Sequence, residues 1–349
     1  MKEGKAILSI DSVKPGMSTA EVIFNKLGNV ILWENVTLDE NMIARLKNLG
    51  IETVAVHPEK PKITYVKSQS SQQFMVDYER DVMAVKQIFQ NITSGRTLSS
   101  QMAQQIVDSV LEHVDAHRNI IESITQVRNI DEYTYYHSLN VALLCMLIGK
   151  WLRLDDQSVR DLTLAGLLHD IGKTQIPLHI INKPGKLTDD EFEEIKRHSE
   201  YGYNLIHQVD GIPSEVAIAV LTHHEKEDGS GYPMGMTGDK LNLYSKVITV
   251  ADIFDAMTAN RVYHSKDTPF KVFELMQHGS FGVLDPVVLR VFLDNITHYY
   301  IGTKVRLNTG EIGEVVFMNR MNLSKPVVMV DDRYIDTSVS KVIRIKEFL

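Results

Sequence analysis

The stretch SVRDLTLAGLLHDIGK, residues 158–173, decides the fold of this chain. The segment carries Leu162, Leu164, Leu167 and Leu168, and the helical pattern stops near Gly172. His169 and Asp170 stand at the end of that apolar stripe. A charge placed there costs free energy unless it is paired or bound to a metal. The segment therefore reads as a core helix that ends in a buried polar cluster.

Working outward, the helical period recurs on both sides. HSLNVALLCMLIGKWL (137–152) is apolar on most faces and reads as a buried helix. DYERDVMAVKQIFQNI (77–92), SSQMAQQIVDSVLEHV (99–114) and HRNIIESITQVR (117–128) carry narrower stripes. DDEFEEIKRHSEYGYNLI (189–206) follows a Thr188 cap and a run of acids, as a helix start prefers. SEVAIAVLTHHE (214–225) and NLYSKVITVADIFDAMTAN (242–260) complete an all-helical core over about residues 74–298. Before it, ILSIDSVKPGM (7–17), GNVILW (28–33) and IETVAVH (51–57) read as strands around the helix LDENMIARLKNLG (38–50). KSQSSQQ (67–73) is a polar linker candidate. After the core, GTKVRLNTGEIGEVVFM (302–318) and KPVVMVDDRYIDTSV (325–339) alternate with period two. The expected division is a small α+β N-terminal domain over 1–66, possible regulatory, a linker with connecting helices over 67–110, an all-helical catalytic bundle over 111–298, and a small all-β barrel or sheet over 299–349. The chain as a whole is expected to be multidomain and mainly α.

Bulk properties narrow the function. Of 349 residues, 44% are hydrophobic and 23% charged, an ordinary globular composition. A formal net charge of -8 argues against a nucleic-acid polymer as partner. The single cysteine, Cys145, lies in an apolar run and reads as a core residue. The first residues hold no leader-like apolar run, and Lys150 interrupts the most apolar segment, which is too short for a membrane span. A cytoplasmic location with no membrane span is the expectation.

Histidine is the informative residue type, with 13 in the chain. His137, His169, Asp170, His198, His223, His224 and Asp252 each fall in or at the end of an expected core helix. Any one alone is an ordinary satisfied histidine or acid. Together with Asp255, buried acids facing buried histidines point to a metal centre. Imidazole and carboxylate without thiolate suit iron, manganese, zinc or nickel. Seven ligands exceed what one ion with an open position uses, whereas two ions sharing a carboxylate use them all, and such a pair suits in-line attack on a phosphodiester.

Four motifs then carry a family resemblance: HDIGK (169–173), IKRHSEYG (195–202), HHEKEDGSGYP (223–233) and ADIFDAMTANR (251–261). DEYTYYHS (131–138) and NKPGKLT (182–188) agree with them. Over about residues 110–298 the chain resembles HD-GYP domains, bacterial phosphodiesterases of the HD superfamily that cleave cyclic di-GMP. The resemblance implies one ion on His137, His169, Asp170 and Asp252 and a second on His198, His223 and His224, with Asp170 bridging. Iron or manganese is the implied metal. Some members hold a third ion with a Glu at the position of Tyr133, so two ions are expected here. Lys173, Tyr232 and Arg261 fall where members contact the dinucleotide, and Arg261-Val262-Tyr263-His264 departs from the usual pattern at its last residue. The implied reaction is attack by a metal-bridging hydroxide, giving linear pGpG and then GMP. Asp170 and Lys173 are the implied catalytic residues, with Lys173 a candidate proton donor. Diguanylate cyclase domains docking on the GYP loop and a homodimer are further implied partners. Glu225 reads as a supporting partner rather than a ligand, and Tyr232 as the lip of the pocket.

Alternative readings are a phosphodiesterase for another cyclic dinucleotide such as cyclic GMP-AMP, a cyclic di-GMP sensor or interaction module with little turnover, and a di-iron oxygenase. The sensor reading predicts missing ligands, and none of the seven is missing.

Overall fold

The computed structural model describes residues 6–21, 23–24, 30–32, 38, 40–48, 50–57, 69–116, 133–183, 185–258, 268–279, 282–320, 322–331, 333–340 and 342–349. Two compact units divide the chain, Met1–Gln69 and Ser70–Leu349. In the first, β1 (Ala6–Ser9) and β2 (Ser18–Thr19) flank β5 (Thr53–His57) in an antiparallel sheet. β3 (Ile23–Phe24) pairs with β4 (Val30–Leu32). Helix α1 (Glu40–Asn48) gives Ile43 and Leu46 to a small core with Val54, Val56 and Leu38.

The second unit is built on helices. Helix α2 (Gln69–Thr93) and α3 (Ser100–Ala116) precede α4 (Tyr133–Trp151). Gln69–Gln73, expected as linker, already belongs to α2; Ser and Gln carry only a modest helical penalty, and the apolar stripe from Phe74 onward extends the helix. HRNIIESITQVR lies outside the described residues. Every residue of α4 from Tyr136 to Gly149 is buried, which explains its nearly all-apolar sequence. It packs along α5 (Asp156–Leu168), whose start Asp155 caps by accepting from Ser158 N–H.

Past α5 the chain turns through a 3-10 segment, Ile171–Gln175, into the short α6 (Leu178–Ile181). The helix expected over 189–206 is two, α7 (Asp189–Lys196) and α8 (His198–Ile206). Arg197 separates them because its N–H turns back to Glu194 O, three residues away, which tightens the turn. Thr188 and Glu191 cap α7 reciprocally. Helix α9 (Ser214–Thr222) ends at the histidine pair, and α10 (Leu243–Thr258) crosses α4. Helices α11 (Pro269–Gly279) and α12 (Pro286–Ile296) fill a region the sequence left unspecified within the helical core.

The tail forms one antiparallel sheet of β6 (Lys304–Leu307), β7 (Ile312–Phe317), β8 (Val327–Val330), β9 (Arg333–Asp336) and β10 (Ile345–Phe348), in the order β10-β6-β7-β8-β9. Its alternating inward residues Val305, Leu307, Val315 and Val328 join the core of the helices, and Phe348 stacks on Phe270 at 5.1 Å. The molecule is thus mainly helical with an antiparallel C-terminal sheet. Among the described residues no helix is long and apolar enough to cross a membrane.

Candidate metal centre

The packing of helix ends creates the site. His169 and Asp170 follow the last residue of α5, and His198 opens α8. Gly172 brings these together. A Cβ at residue 172 would strike the backbone of His198 and Gly202, so only glycine lets the turn lie against α8. His223 and His224 follow the end of α9, where their rings lie 4.0 Å apart. His137 comes from the first turns of α4 and Asp252 from α10.

Hydrogen bonds aim the rings. His169 Nδ1 lies 2.7 Å from Gly166 O, His198 Nδ1 2.7 Å from Ile195 O and His223 Nδ1 2.7 Å from Val220 O. His137 Nδ1 lies 2.8 Å from Asp255 Oδ2. Each of these Nδ1 atoms faces an acceptor and so carries the proton, which leaves Nε2 as a ligand atom. The Nε2 atoms then converge: His137 and His169 at 3.2 Å, His198 and His223 at 3.2 Å, and His198 and His224 at 3.2 Å.

Asp170 stands between the two sets. Its Oδ2 is 3.4 Å from His169 Nε2 and 3.5 Å from His137 Nε2, while Oδ1 is 3.5 Å from His198 Nε2. Asp252 Oδ1 lies 3.1 Å from His137 Nε2, and its Oδ2 4.0 Å from His224 Nδ1. Among the described residues, His137, His169 and Asp170 form one group able to hold an ion, and His198, His223 and His224 another. Converging nitrogen lone pairs beside two carboxylates fit divalent cations of the imidazole-binding kind.

For three of the rings the electrostatics agree with that fit. Burial pushes His198 down to about 4 and His224 down to about 3, and it holds His223 well below the usual histidine value. These rings stay neutral and ready to ligate. Burial also opposes charge on His137, but Tyr133, Asp252 and Asp255 outweigh it and raise this ring above the ordinary value, so an ion held there would have to displace a proton from Nε2. Burial opposes ionisation of Asp170 too, yet Lys173, His169 and His198 hold its carboxyl well below the usual range. Lys173 Nζ sits 2.5 Å from Asp170 Oδ2, and despite burial Asp170 keeps it charged.

The loop after the histidines is latched from below. The buried Glu225 carboxylate accepts from Met234 N–H at 2.6 Å and Met236 N–H at 2.9 Å. Gly231 lies so close to Glu225 and His224 that a Cβ would collide with their backbone. Tyr232 is thereby laid over His224, ring centroids 4.7 Å apart, and its peptide bond to Pro233 is cis. Lys196 Nζ lies 5.8 Å from the Tyr232 ring and 5.6 Å from that of Phe192. Sequence reasoning passed over Lys196; its only local signal was the i, i+4 spacing to Phe192. Tyr133 stacks on His137 at 5.4 Å. Arg261 and His264 lie outside the described residues.

Comparison with known proteins gives the class. The HD domain family matches residues 101–288, more than half of the chain, and the chain belongs to that family. It is 36% identical over 247 residues to the cyclic di-GMP phosphodiesterase PA4108 of Pseudomonas aeruginosa, covering 71% of this chain and 59% of that protein. It is 40% identical over 170 residues to the 3'3'-cGAMP-specific phosphodiesterase 1 of Vibrio cholerae, covering 48% of this chain and 39% of that protein. The chain thus spans less than two thirds of the length of either relative. The solved structure of Bd1817, a HDG"Y"P protein from Bdellovibrio bacteriovorus, superposes with a TM-score of 0.54 at 13% identity, covering 84% of this chain and 99% of that one, a likeness of fold.

Proposed function

We propose that the chain is a metal-dependent phosphodiesterase that hydrolyses cyclic di-GMP to linear pGpG and onward to GMP. The observation that carries the reading is Asp170, with one carboxylate oxygen toward His137 and His169 and the other toward His198. On this reading His137, His169, Asp170 and Asp252 hold one ion and His198, His223 and His224 the other, with iron or manganese the metals best suited. When bound, such a pair lowers the pKa of water toward neutrality and offsets the charge of a phosphodiester.

The chain's own residues do the rest. Lys173, held charged at Asp170, meets a substrate phosphate or gives a proton to the leaving oxygen. Tyr232 offers a ring face at the rim for a base, and Arg261 a guanidinium for phosphate. The names of relatives support a cyclic dinucleotide substrate. The second reading, a 3'3'-cyclic GMP-AMP phosphodiesterase, is favoured by the 40% identity to the Vibrio protein.

The test joins metal analysis to turnover of a panel of cyclic dinucleotides, for the intact chain and for His169→Ala/Asp170→Ala. Loss of metal and of hydrolysis together is expected. Hydrolysis retained by the double variant would remove the proposed site, and turnover confined to cyclic GMP-AMP would select the second reading.

A further inference from the structure

Helix α2 reaches the metal centre through a file of buried polar groups. The Tyr78 hydroxyl donates to Asn140 Oδ1 at 2.6 Å. Asn140 Nδ2 donates to Asp255 Oδ1 at 3.0 Å. Asp255 Oδ2 accepts from His137 Nδ1 at 2.8 Å. Tyr78 is 2% exposed, Asn140 1%, Asp255 1% and His137 3%. Water therefore has little access to any link. In such surroundings each hydrogen bond is stronger, and each lost one leaves a costly orphan.

Packing alone does not explain the hydroxyl. The Tyr78 ring stacks on Phe74 at 5.8 Å and lies 6.0 Å from Tyr136, contacts a phenylalanine makes equally well. What the hydroxyl adds is a hold on the amide. The Tyr78 hydroxyl donates to the oxygen end of Asn140 and fixes it in place, while the acceptor-only Asp255 carboxylate takes the NH₂ end. That bond pins one Asp255 oxygen and turns the other to His137 Nδ1. His137 then presents Nε2 to His169, Asp170 and Asp252.

We infer that Tyr78 is a positioning residue for the metal centre: through Asn140 and Asp255 it sets the orientation of His137, and so ties the seating of α2 to the ion held with His169 and Asp170. The inference rests on His137 being a ligand. Tyr78 lies outside residues 101–288, the span that matches the HD domain family.

The neighbouring residue provides a matched control. The Tyr136 hydroxyl donates to the Glu79 carboxylate at 2.9 Å, joining the same two helices along a different line. The experiment is titration of the chelator-stripped full chain with Co(II), read by its visible absorption, with thermal melting of each variant alongside. Tyr78→Phe is expected to weaken cobalt binding roughly three- to tenfold, at or below the ~10–100-fold typical of groups bonded directly to a ligand. It is also expected to shift the absorption band. Tyr136→Phe is expected to bind cobalt as the native chain does. Asn140→Ala is expected to weaken binding at least as much, and adding Tyr78→Phe to it should change nothing further. Native-like cobalt binding by both Tyr78→Phe and Asn140→Ala overturns the inference, as does full additivity of the two. Should one single variant fail to fold, the other carries the same test. Failure of the native chain to take up cobalt overturns instead the metal-centre reading beneath it.

Discussion

Asp170 does with one side chain what the site otherwise needs two for. It faces both imidazole sets and keeps Lys173 charged beside them. Asp170→Asn preserves its shape and removes the charge. Measured by metal content and turnover, it should cost more than the ~10–100-fold of an outer partner if Asp170 is the shared ligand proposed above. Asp170 and its neighbours were legible in the sequence, since His-Asp and His-His are adjacent pairs placed at the ends of apolar stripes. Asp255 was noticed as a buried acid, but Tyr78 and Asn140 were not. They are 62 residues apart, and only the crossing of α2 on α4 makes them partners. No local period encodes that.

At the level of elements, the GYP loop is held by carboxylates at both of its flanks. Glu225 latches it at Met234 and Met236, and Glu227 ties it to Lys246, which also pairs with Asp285. Glu225→Gln turns one acceptor into a donor facing an N–H. We expect a loss of about 1–3 kcal/mol in chemical denaturation. KM should rise while metal content holds, because Tyr232 loses its seat. Asp285 caps α12 through Val287 and Val288 N–H. Asp285→Ala should cost about 1–2 kcal/mol near neutral pH. Burial opposes its ionisation, but Val288 N–H and Lys246 outweigh that and hold the carboxyl below the usual range. A depressed folded-state pKa stabilises above the unfolded value and is lost as pH falls through the folded one. Denaturation of both proteins across pH should therefore show the gap full at pH 6–7 and narrowing below about pH 4. The split between α7 and α8 escaped the sequence because Arg197 is an ordinary helix former; the requirement to meet Gly172 is tertiary.

For the molecule as a whole, the proposed ligands come from α4, α8 and α10 and from the segments that follow α5 and α9, so bound ions would cross-link most of the helical unit. Chelation should lower the melting temperature, and Mn(II) should restore it in a concentration-dependent way, by about 2.7 kcal/mol at a hundredfold excess over Kd. A melting curve indifferent to both treatments would count against the centre. The carbonyls that aim His169, His198 and His223 belong to Gly166, Ile195 and Val220, in the last turns of α5, α7 and α9. Those turns are where backbone carbonyls lack helical partners and the negative ends of helix dipoles gather. One bond thus closes a helix and enriches the ligand nitrogen in electron density. Replacing any of these rings removes the partner of a helix-end carbonyl, so in this chain the seating of the proposed ligands and the termination of its helices are a single property.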